Sequence, residues 1–142
     1  MRVVMDTSVL VAGLRSGTGA SRRWLDSILD RHRTLVLSVP LVVEYEGVLV
    51  RSEMQRATGL RANEIGELLD TLCALAEPVE LHYRLRPVLR DPDDEVVLET
   101  AVVGRVDALL TFNVRDFAGA ERFGIRISQP GPAWRQTAER KT

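Results

Sequence analysis

Cysteine and lysine are almost absent from this sequence of 142 residues. The single cysteine, Cys73, excludes an internal disulfide framework and a cysteine-rich zinc site. Because Cys73 stands among Leu69, Leu72 and Leu75, we expect a buried thiol in a reducing compartment. The single lysine is Lys141, so arginine carries nearly all of the positive charge. A net charge of −1 is therefore compatible with an acidic pocket surrounded by arginine side chains.

Long apolar runs are missing as well. The first stretch, MRVVMDTSVLVAGL, is interrupted by Asp6 and lacks a small-residue cleavage pattern, and no run is long enough to span a bilayer. With 45% hydrophobic and 27% charged residues, the chain is typical of one globular domain with one core. We expect a soluble, cytoplasmic protein without membrane contact.

Two kinds of apolar segment alternate along the chain. Short β-branched runs predict strands at residues 2–5, 34–39, 78–82, 107–112 and 124–128. Apolar residues at helical spacing predict helices at residues 20–33, 40–54, 61–76 and 91–105. The alternation predicts an α/β fold of three αβα layers with a central parallel sheet of four to five strands. We expect one domain over residues 1–128, followed by a loop and loosely held tail at 129–142 with a helical turn around Trp134.

Asp6 ends the first predicted strand at its carboxyl end, where parallel sheets bind their ligands. Thr7 and Ser8 add hydroxyl groups beside it. Two roles are open to the Asp6 side chain. It suits the N-cap of the following helix, and it also suits a ligand position in the crevice.

The segment DPDDEVVLETA, residues 91–101, places four carboxylates within five positions. Asp91 is the predicted N-cap and Pro92 the first helical residue, and acids in this first turn interact favourably with the helix dipole. Helical steps from Asp94 reach only apolar residues: Val97, Leu98, Ala101 and Val102. Asp94 therefore heads the inward face, where a carboxylate is costly unless an arginine or a metal ion pairs with it.

Two more places offer acids near the same edge. In the helix that begins at Pro40, periodicity alone leaves Glu44 and Glu46 as alternatives for the inward position. In the stretch TFNVRDF, Asn113 and Asp116 follow a strand end within one turn, where such residues also stabilise the exit from a strand.

Together, Asp6, Glu44, Asp94 and Asp116 fall at strand ends or helix starts on one edge of the predicted sheet. Three or four convergent carboxylates without cysteine or histidine are hard oxygen ligands. Such a set suits Mg²⁺ or Mn²⁺.

Four motifs, in this order and at these separations, carry a resemblance: VVMDTSVLVAGL, VPLVVEYEGVL, DPDDEVVLETA and ALLTFNVRDF. They resemble the PIN domain, and more closely the VapC-like toxin components of bacterial toxin–antitoxin pairs. The resemblance covers about residues 2–128. It implies a Mg²⁺- or Mn²⁺-dependent ribonuclease that cleaves single-stranded or structured RNA.

The resemblance also implies roles for individual residues. Asp6, Asp94 and Asp116 match metal-binding acids, and the match selects Glu44 rather than Glu46 as a fourth, acting through water. The supporting polar positions that orient ligands or water are Ser8 and Asn113. Asn113 stands where many relatives have Asp, which implies weaker metal binding. Apart from the resemblance, four arginines around the crevice have two roles open, a contact to the RNA backbone or, as expected for any one of them alone, an ordinary solvated surface charge: Arg15, Arg22, Arg90 and Arg115.

Partners follow from the same resemblance. It implies a cognate antitoxin protein that covers the site, and a homodimer.

A phosphatase of the haloacid dehalogenase type is disfavoured because Ser8 replaces its second Asp and no lysine precedes Lys141. The sequence GTG at 17–19 is too short for a dinucleotide-binding fingerprint. The remaining alternative is a catalytically inactive PIN-like module that binds protein or RNA.

Overall fold

The carboxyl ends of five parallel strands lie at one edge of a single sheet. The structure is a computed structural model and describes residues 1–81, 89 and 91–140. The strands are β1 (Arg2–Met5), β2 (Thr34–Leu37), β3 (Glu77–Pro78), β4 (Ala108–Leu110) and β5 (Arg126–Ser128). They lie in the order β3-β2-β1-β4-β5, and every neighbouring pair is parallel. The predicted parallel sheet is confirmed with five strands.

Helices cover both faces of this sheet. They are α1 (Thr7–Arg15), α2 (Ala20–Leu29), α3 (Val39–Leu49), α4 (Ser52–Thr58), α5 (Ala62–Leu75), α6 (Pro92–Gly104) and α7 (Pro130–Arg140), with short 3-10 helices at Val114–Phe117 and Ala120–Phe123. The crossovers from β1 to β2 and from β2 to β3 run in one direction along the sheet, whereas the crossover with α6 runs back to β4. Because such crossovers are right-handed, α6 covers the opposite face from the earlier helices. The predicted three-layer arrangement is confirmed.

The central strand β1 lies in the buried middle of the sheet. Val3, Val4 and Met5 are each 0% exposed, since β1 has a strand on either side and helices on both faces. Helix α6 approaches β2 closely at Gly104, where a Cβ atom would lie 2.6 Å from Val36 Cγ1. Glycine therefore permits this helix–sheet contact.

The helix predicted from residue 40 to about 54 is divided into α3 and α4. The break falls at Arg51, which has extended backbone angles (φ −61, ψ 141) and stands at the N-cap of α4. Helix α1, directly after Asp6, is not among the predicted helices, because its β-branched residues and Gly13 have low helix propensity. The strand predicted at 78–82 is confined to Glu77–Pro78 within the described residues, and His82 lies outside them.

The loop and loosely held tail predicted for 129–142 are wrong for most of that segment, because Pro130–Arg140 forms a helix. Trp134 packs edge-on against Trp24 of α2, with ring centroids 5.2 Å apart. The Trp24 indole also donates a buried hydrogen bond of 2.9 Å to the carbonyl oxygen of Pro130. These long-range contacts stabilise a segment whose own sequence signal for a helix is weak.

Cys73 is exposed, so the expectation of a buried thiol is wrong. Helix α5 buries Ile65, Leu69 and Leu72. Cys73 directly follows Leu72 in the chain but lies outside this buried face. Within the described part of the chain, no helix combines the length and the apolar character needed to cross a membrane.

Candidate active site at the carboxyl edge of the sheet

Asp6 follows β1 directly and is buried, with 6% of its surface exposed. Its carbonyl oxygen accepts from the Val9 amide in the first turn of α1, but its carboxylate makes no capping hydrogen bond. Instead, Oδ2 accepts hydrogen bonds from Ser8 Oγ at 2.9 Å and from Thr111 Oγ1 at 2.8 Å. Of the two roles open to this side chain, the structure therefore excludes the side-chain N-cap.

Thr111 is a neighbour of Asp6 that the sequence analysis does not single out. It follows β4, and the pairing of Met5 with Leu110 brings the ends of β1 and β4 together. Its hydroxyl accepts from the Asn113 amide at 3.0 Å while donating to Asp6. A hydroxyl residue directly after a strand next to β1 is the signal that could have identified it.

The start of α3 is joined to the second half of α6 by a pair of buried hydroxyls. Ser38 caps α3, since its Oγ accepts from the Leu41 amide at 3.3 Å. Its Oγ also lies 2.7 Å from Thr100 Oγ1 in α6. Because the Thr100 hydroxyl donates to the carbonyl oxygen of Val96, Ser38 is the donor in this pair. The contact fixes the two helices that carry Glu44 and Asp94.

Glu44 is half-buried on α3, whereas Glu46 is exposed. Burial, followed by the negative charges of nearby aspartates including Asp93, Asp6 and Asp94, raises the pKa of Glu44 to about 7. Glu44 Oε2 is buried and has no hydrogen-bond partner within the described residues. Such an oxygen is poorly stabilised unless a cation or a proton binds it.

Asp94 is half-buried near the start of α6. Its pKa is raised to about 6 by burial, followed by the charges of Asp6, Asp91, Asp116 and Asp93. Asp91 caps the helix as predicted, because its Oδ1 accepts from the Asp93 amide at 2.9 Å, and Pro92 is the first helical residue. Asp94 therefore has no capping role in α6, and its carboxylate lies within electrostatic range of Asp6 and Asp116.

Asp116 lies in the 3-10 helix after β4 and is exposed. Its amide donates to the carbonyl oxygen of Asn113 at 2.9 Å, and the adjacent Phe117 is 0% exposed and fixes the turn in the core. Asn113 itself is exposed. The structure therefore brings Asp116 within electrostatic range of Asp94, with Asn113 in the turn between Asp116 and Thr111.

The acidic edge, defined as Asp6, Glu44, Asp94 and Asp116, fits a divalent cation by its chemistry. Its donors are hard oxygens, burial and the charges of neighbouring acids raise the pKa values of Glu44 and Asp94, and one buried oxygen has no partner among the described residues. However, no three acidic, histidine or cysteine side chains of the described residues are close enough together to form a ready-made metal site.

The arginines expected near the RNA differ in their surroundings. Arg15 at the end of α1 and Arg115 beside Asp116 are exposed. Arg22 is paired with Asp26 one helical turn away, at 3.0 Å. Arg90 lies outside the described residues.

The fold and this edge define an α/β protein with a candidate acidic active site at the carboxyl ends of its strands. The profile of the PIN domain family matches residues 2–115, and the chain therefore belongs to the PIN domain family. No curated protein sequence shows a significant match. Among solved structures, the chain is similar to one in the crystal structure of VapBC2 from Rickettsia felis bound to a DNA fragment from their promoter. That match has a TM-score of 0.60 and 15% identity, and it covers 91% of this chain and 98% of the other.

Proposed function

We propose that this protein is an endoribonuclease that uses Mg²⁺ or Mn²⁺ to hydrolyse phosphodiester bonds of RNA. One observation carries the proposal: at this edge, burial and the charges of neighbouring acids, among them Asp6 for both residues and Asp116 for Asp94, raise the pKa values of Glu44 and Asp94. Membership of the PIN domain family supports it. A structural protein gains nothing from unpaired, half-buried carboxylates, whereas a metal-dependent hydrolase needs them.

In this mechanism, Asp6, Asp94 and Asp116 would hold one or two ions directly, and Glu44 would act through water. When bound, the ions would activate a water molecule and neutralise charge that develops on the phosphate. Ser8 and Thr111 hold Oδ2 of Asp6 in place, and no donor from the described residues reaches its other oxygen, Oδ1.

The RNA itself would be held by the positive charges around this edge. Arg15 and Arg115 are exposed, and an exposed guanidinium can bind phosphate oxygens in a bidentate manner. Arg22 is less available, because Asp26 already pairs with it. Backbone contacts of this kind position an RNA without reading its sequence.

The first experiment measures Mn²⁺ binding by calorimetry and cleavage of a mixed RNA pool in the same samples. We expect Asp94→Asn and Glu44→Gln to lose both. Glu46→Gln, an exposed position two residues away on the same helix, is the matched control and should retain both. Metal binding and cleavage that survive in Asp94→Asn would reject the proposed site.

A non-catalytic binding module is the second candidate, and one observation favours it. The described residues contain no preassembled group of three potential metal ligands. If the wild-type protein binds no divalent ion at millimolar concentration and cuts no RNA, this candidate replaces the nuclease.

We further propose that the protein is the toxin of a toxin–antitoxin pair, with a cognate antitoxin that covers the acidic edge, and that it forms a homodimer. The similarity to a chain of VapBC2 supports the antitoxin. Three exposed valines on or next to α3, Val39, Val43 and Val50, offer apolar surface near Glu44 for a protein partner. Induced expression in a bacterial host should arrest growth, and Asp94→Asn should not.

Light scattering of the purified protein tests the homodimer. We expect twice the mass of the chain. A monomeric mass at high micromolar concentration would reject the homodimer and leave the nuclease proposal in place.

A further inference from the structure

A surface groove lies beside the acidic edge and has no role in the proposed hydrolysis. Its volume is about 480 Å³, within the range of small-molecule binding sites. The end of α1, the start of α2, the start of α7 and the residue Phe112 line it. We call it the Phe112 groove.

Phe112 connects the groove to the acidic edge. It is 43% exposed, although aromatic side chains of its size are usually covered in a folded domain. It stands between Thr111, whose hydroxyl binds Asp6, and Asn113. Since consecutive Cα atoms are about 3.8 Å apart, the Phe112 backbone lies directly beside that of Thr111.

The polar lining of the groove suits an anion. Arg135 is its charged residue, and Nη1 of Arg135 lies 3.6 Å from the position of a Cβ on Gly131, over the first turn of α7. No acidic residue is among the described residues that line the groove. Ser21 Oγ, in the same lining, is buried without a hydrogen-bond partner in the described part of the chain.

We propose that an unpaired nucleotide of the RNA substrate occupies the Phe112 groove, with its base stacked on Phe112 and a phosphate near Arg135. The inference rests on the proposed ribonuclease function and names the form of RNA that the site selects. Bases in a duplex are already stacked on one another, whereas an unpaired base can stack on an aromatic side chain. The groove would therefore favour single-stranded segments and loops.

The test measures RNA binding by fluorescence anisotropy, independently of cleavage. The probe is a fluorescein-labelled single-stranded RNA of twelve nucleotides, compared with a probe of the same length in which the central nucleotides are abasic. All proteins carry Asp94→Asn, which prevents cleavage and removes one repelling charge. We expect Phe112→Ala to weaken binding of the intact probe about ten-fold, the loss of one base–aromatic stack. The affinity of Phe112→Trp should lie within about two-fold of that of the parent, the protein that carries Asp94→Asn alone, since stacking is retained.

Two controls separate stacking from structural effects. Val103→Ala removes an apolar side chain of similar exposure on α6 and should leave binding unchanged. Arg135→Gln should lower the slope of log affinity against log salt by about 0.7, whereas Arg56→Gln on α4 should not. With the abasic probe, the difference between Phe112→Ala and its parent should disappear.

Binding that is indifferent to Phe112→Ala, or equally weakened with the abasic probe, would overturn the inference. So would the absence of RNA binding by the parent. Cleavage by the wild type together with Phe112-independent binding would leave the nuclease proposal standing and remove only the groove. Conversely, Phe112-dependent binding by a chain that never cuts RNA would support the groove and reject the nuclease.

Discussion

Thr111 donates its hydroxyl hydrogen to Asp6 over 2.8 Å, although 105 positions separate the two residues in the chain. The pairing of Met5 with Leu110 in the β1–β4 ladder brings them together, since each stands directly after its strand. The orientation of the Asp6 carboxylate is thus set by sheet register. Its second hydroxyl donor, Ser8, is local.

Thr111→Val should weaken Mn²⁺ binding and RNA cleavage by about 10- to 100-fold, because side chains that orient a metal ligand have effects of this size. Thr111→Ser keeps the hydroxyl and should remain close to wild type. Calorimetry and cleavage rates measure the effect. If Thr111→Val binds Mn²⁺ as tightly as Thr111→Ser, the orienting role is wrong.

The stability of the protein should depend on pH through Glu44 and Asp94. Their pKa values of about 7 and about 6 lie above the ordinary 4.5 and 3.8, so the folded state binds protons more readily than the unfolded chain. The stability these groups contribute is full below their ordinary pKa values. It is lost as pH rises through about 7 for Glu44 and about 6 for Asp94.

Glu44→Gln should therefore raise the melting temperature at pH 8 by about 2–4 °C, and by less at pH 5. The estimate corresponds to about 1 kcal/mol, because solvent screens a half-exposed carboxylate. Saturating Mn²⁺ should raise the wild-type melting temperature at pH 8. Glu46→Gln is the control, and an equal shift in that variant would show that net charge, rather than the acidic edge, causes the effect.

Tyr45 fixes the backbone immediately before Asp6. Its buried hydroxyl donates to the carbonyl oxygen of Met5, and burial raises its pKa well above the ordinary value, so it stays protonated. Tyr45→Phe should lower the free energy of unfolding by about 1–2 kcal/mol, since the Met5 carbonyl loses its donor. Urea unfolding measures this as a shift in midpoint with an unchanged slope. An unshifted midpoint would contradict it.

Gly104 and Gly66 offer a matched pair of helical glycines. Gly104→Ala brings a methyl group to 2.6 Å from Val36 Cγ1 and should destabilise the fold by about 1–3 kcal/mol. A Cβ on Gly66 in α5 meets nothing within 4 Å, so Gly66→Ala should stabilise the fold by about 0.5–1 kcal/mol. Thermal melts of both variants check the opposite signs.

The sheet and the acids at its edge could be predicted from the sequence because both follow from local patterns. The run of apolar residues from Val3 to Met5 defines a buried strand, so the next residue, Asp6, has to emerge at the carboxyl edge. The helical spacing that follows Asp94 likewise indicates which acid of its cluster faces inward. The selection of Glu44 over Glu46 came instead from family resemblance, since periodicity on α3 fits either residue.

The features that sequence reasoning misses depend on contacts between distant segments. The role of Thr111 requires the register of β1 against β4, which no local pattern encodes. Helix α7 begins with two prolines and a glycine, and its docking depends on Trp24 in α2. Tertiary packing outweighs local propensity in such segments.

The contact between Trp24 and Trp134 also provides an optical probe. These are the only tryptophans of the chain, and their rings lie 5.2 Å apart between α2 and α7. Intrinsic tryptophan emission therefore reports the docking of α7 on α2. It does not report on the acidic edge, which contains no tryptophan. In a denaturant titration, an emission change that precedes the loss of far-ultraviolet circular dichroism would mark α7 as a separate cooperative unit. Coincident transitions would mark it as part of the global fold.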